Sequence, residues 1–95
     1  MAYVFEWDVR KAASNLQKHR VSFDEASTVF RDELAMLRSD PDHGDDENRY
    51  ILLGMSAGRR LLVVAHVERP PRTRLIAARP ASAHERRQYE EIPNS

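Results

Sequence analysis

Apolar positions recur along this chain in two rhythms, one of period two and one near 3.6, and the switches between them mark its elements. In YVFEW (3–7), Tyr3, Phe5 and Trp7 share one face of a short strand. Asp8 then reads as a helix N-cap, because its carboxylate can accept from the first free backbone N–H groups. Val9, Ala12, Ala13 and Leu16 follow as an apolar helical stripe, with Lys11, Asn15 and Lys18 on the polar side. This helix is expected to end near His19 and Arg20. SFDE (22–25) has the form of a capping box, Ser22 capping and Glu25 reaching back, and opens a second short helix carrying Phe23, Ala26, Ser27 and Phe30. ELAML (33–37) reads as a strand.

RSDPDHGDDEN (38–48) is polar, acidic and broken by Pro and Gly, hence a loop. RYILLGM (49–55) is a strand, SAGRR (56–60) a turn around Gly58, and LLVVAHVE (61–68) a central strand. RPP (69–71) turns the chain into a last strand, RTRLIAAR (72–79), which Pro80 breaks. Ser82 and Glu85 make a second capping box for a helix from about Ala83 to Glu91. The order β-α-α-β-β-β-β-α, with short turns between the later strands, predicts an antiparallel meander whose apolar face the helices cover. That is an α+β fold. Ninety-five residues correspond to a single domain, 1–95, so any active site must share its one small scaffold.

Composition narrows the chemistry. The chain has no cysteine, which removes disulfides, thiolate nucleophiles and Cys-based zinc sites. No apolar run reaches membrane-spanning length, and the opening MAYVFEWD lacks the pattern of a secretion signal, so a soluble cytoplasmic protein is expected. Net charge is zero, but residues 1–48 hold six Lys/Arg against eleven Asp/Glu, a charge of −5, and residues 49–95 hold nine Arg against four Glu, +5. Thirteen of the fifteen basic residues are Arg, whose planar, permanently charged fork suits phosphate. The halves either neutralise each other or leave a basic face.

The arginines concentrate at the corner between the last strand and the last helix. Strict alternation puts Arg72, Arg74, Ile76 and Ala78 on one face, and Thr73, Leu75, Ala77 and Arg79 on the other. One face must then hold Arg beside an apolar residue, the pattern of a cleft edge. The following helix brings His84, Arg86, Arg87 and Tyr89 nearby, and its free N–H groups would favour an anion. Arg86 and Arg87 have an alternative use, pairing with Glu90 and Glu91 on a solvated helix. Lys18 and His19 fit a helix C-terminus electrostatically, yet a histidine there can also serve as general acid or base. Arg59 and Arg60 close a turn, and His66 is expected to be a buried structural histidine.

Asp40, Asp42 and Asp45 do not complete a calcium loop, since its glycine and closing glutamate are missing. P-loop, GxGxxG, HExxH and GxSxG motifs are absent. No cofactor or metal is expected. A domain with Arg, Lys, His and Tyr suffices for RNA cleavage, because RNA carries its own nucleophile, the 2′-hydroxyl. The protein need only hold the phosphate, stabilise developing charge and move protons.

FEWD (5–8), KAASNLQKHRVSFDEASTVF (11–30), DPDH (40–43), RLLVVAHVER (60–69) and ARPASAHERRQYEE (78–91) together resemble the BrnT family of type II toxin–antitoxin systems. The segments KH-x-VSF-x-EA and ARPA-x-x-x-ERR-x-YE are its most specific parts. The resemblance implies a small RelE-like domain: a twisted antiparallel sheet with two N-terminal helices and one C-terminal helix. It implies a metal-independent ribonuclease that cleaves RNA, inhibits translation and arrests growth. The partner would be a cognate BrnA-like antitoxin with a ribbon-helix-helix domain, through which alone the pair contacts operator DNA. By position, His19, Lys18, Arg60, Arg79 and Tyr89 become catalytic candidates, and Arg74, Arg86 and Arg87 candidate RNA phosphate contacts. Arg20 departs from the pattern, standing where the family usually has Gly. The rival reading is a ParE-like toxin that binds DNA gyrase without catalysis; a third is an inactive toxin acting as co-repressor with its antitoxin.

Overall fold

In the structure, a computed structural model, residues 3–40 and 48–91 are described. Strand β1 (Val4–Glu6) leads into α1 (Val9–His19) and α2 (Phe23–Thr28), which tightens into a 3-10 turn (Val29–Arg31). Strands β2 (Met36–Ser39), β3 (Arg49–Met55), β4 (Leu61–Arg69) and β5 (Arg72–Pro80) follow, then α3 (Ala83–Glu90). The expected order is observed, and β2 to β5 form the expected antiparallel meander. The sheet order is β1-β5-β4-β3-β2, and β1 lies parallel to β5 at the far edge, an arrangement the local pattern does not announce. The second strand begins at Met36, later than the ELAML reading, because the 3-10 turn and Asp32 occupy the preceding residues. The loop reading extends over Arg38 and Ser39, which belong to β2; of its three candidate metal ligands only Asp40 lies among the described residues, and it accepts from Arg49 Nε at 3.1 Å.

The sheet has two unequal faces. On the inner face Leu52, Leu62, Val64, Leu75 and Ala78 pack under Val21, Phe23, Ala26 and Val29. Each large side chain buried here contributes about 1.5–3 kcal/mol. Phe5 and Trp7 join this core as their shared strand face predicts, and Trp7 meets Phe23 edge-on at 5.9 Å. His66 is buried as expected, edge-on to Phe30 and stacked with Tyr50, and burial holds its pKa below the usual value. Gly54 admits the 3-10 segment: a Cβ there would lie 2.9 Å from both Ala35 Cβ and Val29 Cγ1. The outer face carries Leu53, Leu61 and Val63, with Tyr89 of α3 packed against them. One eight-residue helix cannot roof nine-residue strands, so part of this face stays open.

Two expectations are overturned. The Val9–Leu16 stripe is not the buried side of α1: Val9 is 78 % and Leu16 49 % exposed, whereas Asn15 is buried. Strand β1 pairs only with Arg72–Arg74, leaving the β5 edge beyond it unpaired. The Asn15 amide replaces the missing strand: Nδ2 donates to Ala78 O at 2.8 Å, and Oδ1 accepts from Ala78 N at 3.0 Å. A third bond runs from Nδ2 to Val21 O. Satisfying buried backbone groups outweighs burying a methylene or two. The second is the alternation along β5. Ala77 pairs with Ala65, but Leu75 pairs with His66, so Ile76 is an extra, bulged residue. Past the bulge the faces exchange, and Arg72, Arg74, Ala77 and Arg79 all lie on the outer face.

Candidate active site

The last turn of α1 places Lys18 and His19 beside the outer face. Arg20 ends the helix in the left-handed region, φ 59°, its N–H donating to Leu16 O. Ser56 N and Arg60 O close the next hairpin, where Arg59 (φ 64°), rather than Gly58, takes the left-handed position. From these elements a cleft of about 150 Å³ opens on the uncovered part of the sheet, with His19 at one side and Arg79 at the other. Ala77, Ala65, Val63 and Ile51 form its floor. It continues past Arg79 into a depression of about 80 Å³ bounded by Arg38, Glu85 and Gln88. On the other side His19 and Ala77 also line a depression reaching Lys18 and Lys11.

The bulge is what makes this arrangement possible. Had β5 alternated strictly, Arg79 and Ala77 would share a face with Leu75, against the helices. Around Arg79, Glu85 accepts from Nη1 at 2.8 Å and from Nη2 at 2.9 Å, and its Oε1 also accepts from Ser82 N at 2.8 Å. Arg79 is the main reason the Glu85 carboxyl is held down at about 2; burial works against it and the Ser82 N–H assists. Arg79 in turn is pushed above its usual value by Glu85. The Ser82–Glu85 capping box is complete, so it consumes N–H groups that would otherwise be open to an anion. Arg79 Nε makes no hydrogen bond to any described residue, leaving one side of the guanidinium for a ligand.

Residues 7–85 match the family described as the ribonuclease toxin BrnT of type II toxin–antitoxin systems. The chain belongs to the BrnT family. Its fold agrees with the crystal structure of the Brucella abortus ribonuclease toxin BrnT, with TM-score 0.67 and 19 % identity, covering 85 % of this chain and 99 % of that one. No curated protein matches. Membership makes this chain a member of a family of ribonuclease toxins and implies an antitoxin partner. None of its helices is long and apolar enough to cross a membrane, among the described residues.

Within this BrnT fold the other candidate residues are scattered. Arg60 does not line the cleft. Its Nε donates to Glu25 Oε2 at 2.9 Å, Nη2 makes a 2.5 Å bond to Glu25 Oε1, and Nη2 also donates to Arg20 O at 2.9 Å. Glu25 accepts from Ser56 Oγ too, and so does not reach back to cap α2; only Ser22 caps it. Tyr89 donates to Asp32 Oδ2 at 2.7 Å, and burial, then Asp32, push its hydroxyl up to about 12. Burial would raise Asp32, but donors from Met55 N, Tyr89 and Leu34 N outweigh it and hold its pKa low. Arg74 shares the outer face with Arg79 yet lies at the opposite end of β5, near Glu6. Arg86 faces Glu90 at 3.7 Å on the exposed side of α3, and Arg87 is exposed there.

The sequence does not single out Arg38, Gln88, or Glu85 as the partner of Arg79. The acidic-loop reading covers Arg38, although β2 extends through Ser39 and the pairing of Arg38 with Ile51 places it over the cleft floor. Gln88 carries no signal of its own; only its i+3 spacing from Glu85 marks it as facing the same way.

Proposed function

We propose that this chain is a metal-independent endoribonuclease toxin whose reaction centre is the cleft between His19 and Arg79. The observation that carries the reading is the shared cleft: a histidine and an arginine with an uncommitted Nε line one cleft over an apolar floor. RNA supplies the rest of the reaction. The 2′-oxygen attacks the neighbouring phosphorus, and the bond to the next nucleotide's 5′-oxygen breaks. One proton leaves the 2′-hydroxyl and one reaches the departing oxygen. Arg79, always protonated, holds the phosphate and offsets the charge that builds on its oxygens. His19 moves a proton, with Lys18 beside it as the second candidate. Arg60 and Tyr89 serve the fold, by the bonds that occupy them. A BrnA-type antitoxin with a ribbon-helix-helix domain neutralises the toxin and makes the DNA contacts.

Purified toxin, freed of antitoxin, is incubated with labelled single-stranded RNA in excess chelator. Cleavage is expected to survive chelation and to be lost in His19→Ala and Arg79→Ala proteins with wild-type circular dichroism. A folded wild type that leaves RNA intact would sink the reading and favour a toxin that acts by binding, such as one directed at gyrase.

A further inference from the structure

We propose that the depression beyond Arg79 seats the nucleobase adjoining the reacting phosphate, and that Gln88 reads that base's edge. This rests on the ribonuclease reading of the cleft. The floor of the depression is apolar, made by Met36, Ile51, Leu53 and Val63, while its rim is polar. That suits a flat, apolar-faced group with a hydrogen-bonding edge, as a nucleobase is.

Charge complementarity selects the occupant. Arg79 stands on one wall and Arg38 on another, so a base between them would have a guanidinium near each flanking phosphate. Arg38 has no ion-pair partner among the described residues. On α3, Glu85, Gln88 and Tyr89 form the sheet-facing stripe, being partly buried where their neighbours are exposed. Two of the three are committed, Glu85 to Arg79 and Tyr89 to Asp32. The Gln88 side chain makes no hydrogen bond to any described residue, and it lines the depression. Its amide offers a donor and an acceptor side by side, the combination that recognises a base edge in a bidentate manner.

The test maps cut sites on a randomised single-stranded RNA pool for wild type, Gln88→Ala and Gln88→Glu. Alanine favours helix, so α3 persists. Wild type is expected to prefer one base next to the cut. Gln88→Ala should flatten that preference about 10-fold or more. Gln88→Glu, which exchanges the donor for an acceptor, should move the preference to another base. A cut-site profile identical in all three proteins, or a wild type indifferent to the adjoining base, overturns the inference while leaving the ribonuclease reading intact. If wild type binds RNA without cutting it, photocrosslinking of the same pool reads the same preference. A wild type that neither cuts nor binds RNA overturns both.

Discussion

Two arginine–glutamate forks stand at the ends of neighbouring strands, and they do different things. At the start of β4, Arg60 spends Nε and Nη2 on Glu25 and adds a bond to Arg20 O, while Glu25 also takes the Ser56 hydroxyl. These bonds tie the end of α1, the start of α2 and the β3–β4 turn together. At the end of β5, Arg79 meets Glu85 through Nη1 and Nη2, which leaves the Nε side turned toward no described partner and next to an open cleft. The pairing chemistry is the same. What separates a clamp from a candidate ligand site is which edge of the guanidinium the carboxylate takes, and whether the remaining edge meets protein or space.

The largest effect expected from breaking this comparison lies at Arg79. Arg79→Ala should reduce RNA cleavage by about 10²–10³-fold. It should hardly change the melting temperature, since a half-exposed pair contributes only about 0–1 kcal/mol. Arg60→Ala should show the opposite split, losing about 1 kcal/mol in urea unfolding because Glu25 loses its charged donor and Arg20 O loses a further one, with cleavage per folded molecule within a few-fold of wild type. A swap of these two outcomes would show that the forks have been assigned the wrong way round.

Acid sharpens the contrast next. Glu85 has a folded-state pKa depressed from 4.5 to about 2, so its contribution is fully present above about 4.5 and fades as pH falls toward 2. Glu85→Gln keeps a residue able to complete the capping box but removes the charge. Its stability deficit against wild type, about 1 kcal/mol or less for so exposed a pair, should be constant near neutrality and shrink between those two values. A deficit unchanged down to pH 2 would mean that the Arg79 pairing does not hold the carboxyl down.

The smallest expected effect is at Arg20. Its φ of 59° is strained for a residue with a side chain, and Arg60 contacts only its backbone oxygen. Arg20→Gly should therefore raise stability by about 0.5–1 kcal/mol, with the Arg60 clamp intact. A loss of stability would mean that the Arg20 side chain supports the corner.

The sequence was legible where one residue's chemistry suffices. Asp8 and Ser82 cap their helices as read, because a cap needs only a short polar side chain and a free N–H nearby. The strands from β3 onward were legible from runs of branched residues between turns. Of the candidate residues, His19 and Arg79 share a cleft, whereas Arg60 and Tyr89, which the family pattern also offers, are bonded elsewhere. Arg38 and Gln88 went unseen because nothing local distinguishes a cleft-facing polar residue from a solvated one.

By itself the sequence determined the order of elements, the α+β class, the caps and the family. These follow from periodicity and short-range hydrogen bonding, which act within a few residues. Tertiary structure alone decided three things: that β1 adds in parallel beside β5, that Asn15 rather than Leu16 turns inward to serve the edge β1 leaves open, and that the Ile76 bulge carries Arg79 to the outer face. Each answers a demand from chain distant in sequence. An unpaired backbone group or a mismatched register costs more than a local preference can offset, so local pattern yields there.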